Sequence, residues 1–147
     1  MLNTSEDSSI QSYNNELKVR LNLNKFEFVV NGASTQRTDK IERIKHLERR
    51  LYKEKISLLR KQENSNNSKK NQERIQKILN RIDNIYSDYI NKCICEIVKS
   101  CPTFVVVELK ISNNTTVSRK NVEFKKKLKR KCRIYGIMLR LQRRNLN

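Results

Sequence analysis

Apolar and polar residues alternate along the first third of the chain. Leu17, Val19 and Leu21 alternate with polar neighbours, a period of two that is typical of a strand with one buried face. Asn24-Lys25 can turn, and a second apolar run at 26–30 ends at Asn31-Gly32. Residues 1–15 are polar and show no structural period. The pattern therefore predicts a disordered tail at 1–15 and a β-hairpin at 16–32.

The middle of the chain has a helical period instead. Between residues 39 and 100, aliphatic residues recur every three or four positions in two segments, which the polar run at 64–68 separates. Thr38 or Asp39 can cap the first helix, the second starts near Lys69, and Cys101-Pro102 ends it. Two such helices joined by a polar loop predict an antiparallel helical hairpin over 39–100, with basic residues outside.

The last third combines strand and helix patterns. The β-branched run at 103–109 is typical of a strand buried on both faces, and a polar loop follows at 112–118. Residues 119–135 form a very basic amphipathic pattern that Gly136 can cap, and a strand at 137–141 precedes a tail at 142–147. The predicted fold class is α/β, or α+β, with the order β-β-α-α-β-α-β and the helical hairpin inserted between strands.

The net charge of the chain indicates the class of its partner. Lys and Arg total 33 against 15 Asp and Glu, which gives a net charge of +18. The first 36 residues have a net charge of −1, so the positive excess lies after them. Positive charge concentrated on one surface attracts phosphate backbones and releases their counterions, which predicts a nucleic-acid partner. The alternative is a solvated helical face without a partner. The candidate contact residues are Lys45, Arg49, Arg50, Lys53, Lys69, Lys70, Lys125, Lys126, Lys129, Arg130 and Arg133.

Other sequence signals concern location and metals. No apolar run is long enough to span a bilayer, and the N-terminus lacks a signal-peptide layout, so we expect an intracellular protein without a membrane partner. The four cysteines have no CxxC spacing and no nearby histidine. We therefore expect neither zinc nor disulfides, and we interpret all four as small buried or half-buried apolar residues.

Glu108 is the acidic residue with the most suggestive position. It stands at the end of the predicted buried strand, where active sites form in α/β sheets. The alternative is a solvated residue paired with a nearby lysine. His46, the only histidine, is interpreted as a surface residue.

Two stretches carry a family resemblance. Residues 103–111, TFVVVELKI, resemble the "IVVEDLNI" motif of the TnpB (OrfB-type) insertion-sequence transposases, and residues 122–137 resemble that family's "EFRRQLEYKCKLYGI" helix. The segment from Lys45 to Cys101 is similar to the helices before the glutamate strand of that family. The hairpin at 16–32 resembles the opening strands of its RuvC-like nuclease domain, so the resemblance covers roughly residues 17–141.

The resemblance implies a partial RNase H-like (RuvC-like) domain related to RNA-guided DNA endonucleases, which hold Mg²⁺ with an Asp, a Glu and a second Asp. Glu108 would be the middle ligand. Counting back from Asn31-Gly32 places Arg20 where the first Asp belongs, and an arginine repels a cation. If this assignment is right, Arg20 lies beside Glu108. The second Asp and the zinc ribbon would follow the chain's last residue, Asn147.

Three functional hypotheses follow. The favoured one is a truncated, nucleic-acid-binding remnant of a TnpB-like transposase without catalytic activity and without retained Mg²⁺, which binds DNA or guide RNA in a prokaryotic cytoplasm, associated with the nucleoid. The second is a free-standing basic RNA- or DNA-binding helical module without nuclease ancestry. The third, an active metal-dependent nuclease, needs further carboxylates near Glu108, for which the sequence offers only Asp83, Asp88 and Glu96 on the second helix.

Overall fold

The computed structural model describes residues 15–142, which form five strands and three helices. In chain order these are β1 (Glu16–Asn22), β2 (Glu27–Val30), β3 (Ala33–Gln36), α1 (Thr38–Leu59), α2 (Asn66–Lys99), β4 (Phe104–Leu109), α3 (Thr115–Tyr135) and β5 (Met138–Gln142). Nearly all of both predicted tails, at 1–15 and 142–147, lies outside the described residues.

The five strands form one mixed sheet with the order β3-β2-β1-β4-β5. The first three strands pair antiparallel, whereas β4 pairs parallel with both β1 and β5. Parallel neighbours need a long crossover connection, which α1 and α2 supply before β4 and α3 supplies before β5. The sheet is therefore of the mixed α/β kind, with the carboxyl ends of β1 and β4 at the same edge.

The third strand is absent from the sequence prediction, which ended the hairpin at Asn31-Gly32. These two residues instead form the turn of a second hairpin, with φ of +50° and +86°. Positive φ at both positions is the type I′ geometry that Asn-Gly favours between antiparallel strands. All four residues of Ala33–Gln36 are exposed and three of them are polar, so the segment shows no alternating pattern.

Helices α1 and α2 pack antiparallel against each other. Near the connecting loop, Asn71 Nδ2 donates to the backbone oxygen of Glu54 at 3.0 Å, and Arg74 Nε lies 3.1 Å from the Glu54 carboxylate. The second helix begins at Asn66, earlier than the predicted Lys69, because the Ser65 hydroxyl accepts a hydrogen bond from the Ser68 amide. The polar composition of the run at 64–68 thus marks a helix cap as well as a loop.

Helix α3 also begins earlier than predicted. Asn114 Oδ1 accepts hydrogen bonds from the amides of Thr116 and Val117, so four of the seven residues of the predicted loop at 112–118 are helical. At its other end Gly136 adopts a left-handed conformation (φ +68°), which confirms the predicted cap.

The core lies between the helices and one face of the sheet. Alternate residues of β1 and β4 are buried there, and Phe26, in the turn between β1 and β2, stacks on Tyr86 of α2 with ring centroids 5.0 Å apart. The prediction that β4 is buried on both faces is wrong. Phe104, Val106 and Glu108 are only half-buried, because no described helix covers that face of the sheet.

The cysteine prediction is wrong for two of the four residues. Cys93 and Cys132 are buried, but Cys95 and Cys101 are exposed. Cys95 is two positions from Cys93 on α2 and therefore points away from the apolar stripe, and Cys101 lies beyond the helix end. Burial raises the pKa of the Cys93 thiol to about 12, as expected of a core residue.

Candidate nucleic-acid interface and strand-end carboxylate

Arg20 and Glu108 lie side by side on the open face of the sheet. The parallel register of β1 and β4 pairs the two residues directly, as expected from the motif alignment. Arg20 Nε donates to Glu108 Oε2 at 2.9 Å, and the two side chains are 54% and 23% exposed, respectively. The strand-end carboxylate is thus paired with a cation that belongs to the chain itself.

Three further polar residues surround this pair. Asn22, Glu27 and Lys110 line, with Arg20 and Glu108, a cavity of about 110 Å³ at the strand ends. Glu27 lies opposite Asn22 across the β1–β2 hairpin and accepts a hydrogen bond from the Ser34 hydroxyl at 3.2 Å. The sequence prediction missed Glu27 and Lys110, although the period of two along each strand places them on the Glu108 face. Two cations and two carboxylates leave the cavity close to neutral.

These residues do not fit a Mg²⁺ ion. Within residues 15–142, no group of three or more His, Cys, Asp or Glu side chains is placed to hold a metal. Asp83, Asp88 and Glu96 lie on α2, and none of them lines the cavity that contains Glu108. The Arg20 guanidinium donates to Glu108, and its charge repels a divalent cation.

The basic residues predicted on α1 divide between two surfaces. Lys45, Arg49 and Lys53 line one solvent-exposed face of the helix, around the exposed ring of Tyr52. Arg50 faces the groove between α1 and α2 instead. The structure therefore does not bring these four residues into one cluster.

The remaining predicted contacts lie on the other two helices. Lys69 and Lys70 are exposed in the first turns of α2. On α3, Lys125 is half-buried, and it lines a shallow groove beside β5 together with Lys129. The others on that helix, Lys126, Arg130 and Arg133, are exposed. The basic surface is spread over several helix faces.

One basic residue of α3 has an internal role that the sequence did not indicate. Lys120 is 3% exposed, and its ammonium group forms ion pairs with Asp83 of α2 and Glu123 of α3 and donates to the Ser87 hydroxyl at 2.9 Å. Glu123 also pairs with Lys127 at 3.2 Å. This cluster, the Lys120 network, joins α3 to α2.

Opposing effects act on the Glu123 carboxyl of this network. Burial alone would raise the pKa of Glu123, but hydrogen bonds from Lys120, Ser87 and Lys127 outweigh burial and lower that pKa below its usual value. Glu123 is therefore held in its charged form by the network.

A comparison with known protein families places this chain. The family model OrfB_IS605, described as "Probable transposase", matches residues 12–118, well over half of the chain. The chain belongs to this family. No curated protein matches it, and no described helix is long and apolar enough to cross a membrane.

The family match includes one of the two stretches that resemble the TnpB motifs. It includes β1 to β4 with Arg20 and Glu108, and it ends in the first turn of α3. The resemblance to the TnpB (OrfB-type) transposases is confirmed at the level of the family, and the alternative of a free-standing basic module without nuclease ancestry is not favoured. The resemblance of residues 122–137 lies outside the match and stays a prediction.

Proposed function

We propose that this transposase-family protein binds nucleic acid and does not cleave it with metal ions at the Glu108 strand end. The observation that carries the proposal is the register pair of Arg20 and Glu108, joined by a hydrogen bond of 2.9 Å. Two-metal cleavage needs several carboxylates that hold two cations about 3.5–4 Å apart. A guanidinium in place of one of these carboxylates opposes that chemistry.

The strand order supports an RNase H-like interpretation of the domain. Three antiparallel strands, followed by two parallel ones on the far side of β1, agree with a RuvC-like sheet whose Glu108 strand lies next to the first strand. In this interpretation the α1–α2 hairpin is an insertion between β3 and β4. The domain would retain the architecture of a nuclease while its strand-end carboxylate serves an ion pair.

Binding is supported by the family and by the charge. Transposases act on nucleic acid, and all of the net positive charge lies beyond residue 36, on the part of the chain that contains the three helices. Phosphate contacts carry no sequence information, so DNA and a guide RNA are both suitable partners. The function proposed is therefore attachment to a phosphate backbone.

A nuclease assay tests the absence of cutting. The native protein and Glu108→Ala are incubated with single- and double-stranded DNA and with RNA, in Mg²⁺ or Mn²⁺, and Glu27→Ala serves as the control because it removes a carboxylate from the same cavity. We expect no metal-dependent cleavage by any of the three. Cleavage by the native chain that Glu108→Ala abolishes and Glu27→Ala retains would contradict the proposal.

A salt titration tests binding. The association constant is measured by fluorescence anisotropy with labelled oligonucleotides at several salt concentrations. We expect the logarithm of the constant to fall with the logarithm of salt by about 0.9 for each DNA phosphate neutralised. A slope near zero would mean that the positive charge has no phosphate partner.

A further inference from the structure

Lys40 has a covered side chain, and its ammonium group reaches solvent without a carboxylate partner among the described residues. It lies in the first turn of α1 and is 7% exposed, yet among residues 15–142 it forms no ion pair. The protein covers the aliphatic stem of Lys40 and leaves its ammonium nitrogen accessible to water, where it can meet an external anion. Lys120, by contrast, is buried among two carboxylates and a hydroxyl.

Lys40 lines a groove between α1 and α2 that other cations share. This interhelix groove has a volume of about 600 Å³, and its basic lining residues are Lys40, Arg43, His46, Arg50 and Arg81. Glu42 and Asp88 also line it, so permanent cations outnumber carboxylates by four to two. Neither carboxylate forms an ion pair with any of the described cations, which leaves the arginines able to bind an external anion.

The surroundings of Lys40 are electrostatically unfavourable in the free protein. Burial lowers the pKa of Lys40, and the neighbouring charges of Lys92, Arg37 and Arg43 lower it further, while Asp39 opposes them. Asp39 itself is bound by Arg37 through two hydrogen bonds. An anion in the groove would relieve this repulsion.

We infer that the interhelix groove is a docking site for the phosphodiester backbone of a nucleic acid, with Lys40 at its base and Arg43, Arg50 and Arg81 along its walls. This inference rests on the proposed function and names the surface through which binding takes place. Lys40 and Arg50 are ten residues apart, about 15 Å along α1. One DNA strand carries a phosphate for each 3.4 Å or so of axis, so the groove spans roughly four phosphates.

Two matched triple variants of the full-length chain test the site. The groove variant carries Arg43→Ser, Arg50→Ser and Arg81→Ser. The outer-face variant carries Lys45→Ser, Arg49→Ser and Lys53→Ser, and removes the same charge from the opposite surface of α1. Binding of a fluorescein-labelled oligonucleotide is measured by anisotropy, after circular dichroism has shown that both variants are folded.

We expect the groove variant to lose at least about tenfold in affinity and about three units of salt slope, because it lacks three arginines and each lost phosphate contact reduces the slope by roughly one. The outer-face variant is expected to lose less than about threefold. Equal losses would mean that affinity follows net charge alone, and a larger loss in the outer-face variant would place the site on the other surface. Either outcome overturns the inference.

Lys40→Met separates binding from folding. Methionine keeps an unbranched apolar side chain at the buried position and removes the crowded charge. We expect the melting temperature to stay level or rise while affinity for the oligonucleotide falls several-fold. A drop in melting temperature without loss of affinity in the folded protein would make Lys40 a structural residue and contradict the inference.

Two further outcomes are distinguishable. If the native chain binds no oligonucleotide, the proposed function itself fails. If calorimetry shows that inorganic phosphate alone binds in the groove and the groove variant abolishes this, while oligonucleotide affinity is the same in native and groove variant, the groove is a small-anion site. That result overturns the inference but leaves nucleic-acid binding in place.

Discussion

Lys120 and Lys40 are covered to almost the same degree as whole residues, but their ammonium groups have opposite electrostatic surroundings. Lys120 is 3% exposed and has Asp83, Glu123 and Ser87 around its ammonium group. Lys40 is 7% exposed and has Lys92, Arg37 and Arg43 as charged neighbours, with Asp39 engaged by Arg37. One lysine completes an internal network, and the other leaves positive potential at a groove open to solvent.

Under the proposed function, this difference is a division of the cations of a highly basic chain between stability and binding. A cation whose partners lie within the protein is neutralised there and adds little to an external field. A cation without internal partners destabilises the free protein slightly and gains when a phosphate arrives. Removal of Lys120 should therefore lower mainly the stability of the fold, and removal of Lys40 should lower mainly the affinity for nucleic acid.

The largest effect is expected for Lys120→Met. The change leaves the Asp83 and Glu123 carboxylates facing each other without their shared cation, across the contact between α2 and α3. Removal of one member of a buried ion pair costs about 3–5 kcal/mol, and since Asp83 is half exposed we expect about 2–3 kcal/mol. Urea unfolding measures it, with Lys127→Met as the control, since Lys127 pairs with the same Glu123 at the surface. Equal, small losses for both variants would show that Lys120 is not the centre of the network.

Glu123→Gln is expected to cost less, about 1 kcal/mol at neutral pH, because the amide keeps some of the hydrogen bonds of the carboxylate. The network also predicts a pH dependence. The folded-state pKa of Glu123 lies below the unfolded value of about 4.5, so its stabilisation is complete above that value and is lost as the pH falls through the folded pKa. Unfolding free energy measured against pH should fall less steeply at acidic pH in Glu123→Gln than in the native chain. Identical acid profiles would contradict this assignment.

For Lys40→Met the expected change in stability is small and of opposite sign. The lysine has no ion pair within the described chain, so its replacement loses no pair and removes repulsion from Lys92, Arg37 and Arg43. We expect a gain of 0 to about 1 kcal/mol in unfolding free energy. Chemical denaturation checks it, with Lys45→Met on the exposed face of the same helix as the control. A loss above about 1 kcal/mol would mean that Lys40 has a stabilising partner, and the contrast with Lys120 would disappear.

Sequence periodicity predicted the elements whose side chains alternate between core and solvent. The pattern that predicted β1 is the alternation of Leu17, Val19 and Leu21 with polar residues, which arises because the helices bury one face of the sheet. Strand β3 has no buried residue, so its only signal was the Asn31-Gly32 turn that precedes it. The capping roles of Ser65 and Asn114 were hidden because the same residues are common in loops.

The site was predictable to the extent that it follows strand register. The family resemblance placed Arg20 at the position beside Glu108, and the parallel register of β1 and β4 brings these two distant residues together. The roles of Lys120 and Lys40 could not be predicted, since the sequence pattern around each lysine is that of a solvent-exposed basic helix face. Their difference depends on which charges the neighbouring helix brings near them, and helical period alone does not specify this.

Arg20 and Glu108 provide an intermediate case, an ion pair that is internal to the chain and open to water. Exposed pairs contribute about 0–1 kcal/mol, so a double-mutant cycle with Arg20→Met and Glu108→Gln should give a coupling energy of about 0.5 kcal/mol, the smallest effect of the series. The cycle is measured by urea unfolding at moderate salt, and the coupling should weaken as salt rises. A coupling above about 2 kcal/mol would mean that the pair is a structural element like the Lys120 network. A weak coupling would mean that the interaction between Arg20 and Glu108 contributes little to folding, which agrees with the proposal that Arg20 opposes divalent cations at the strand end.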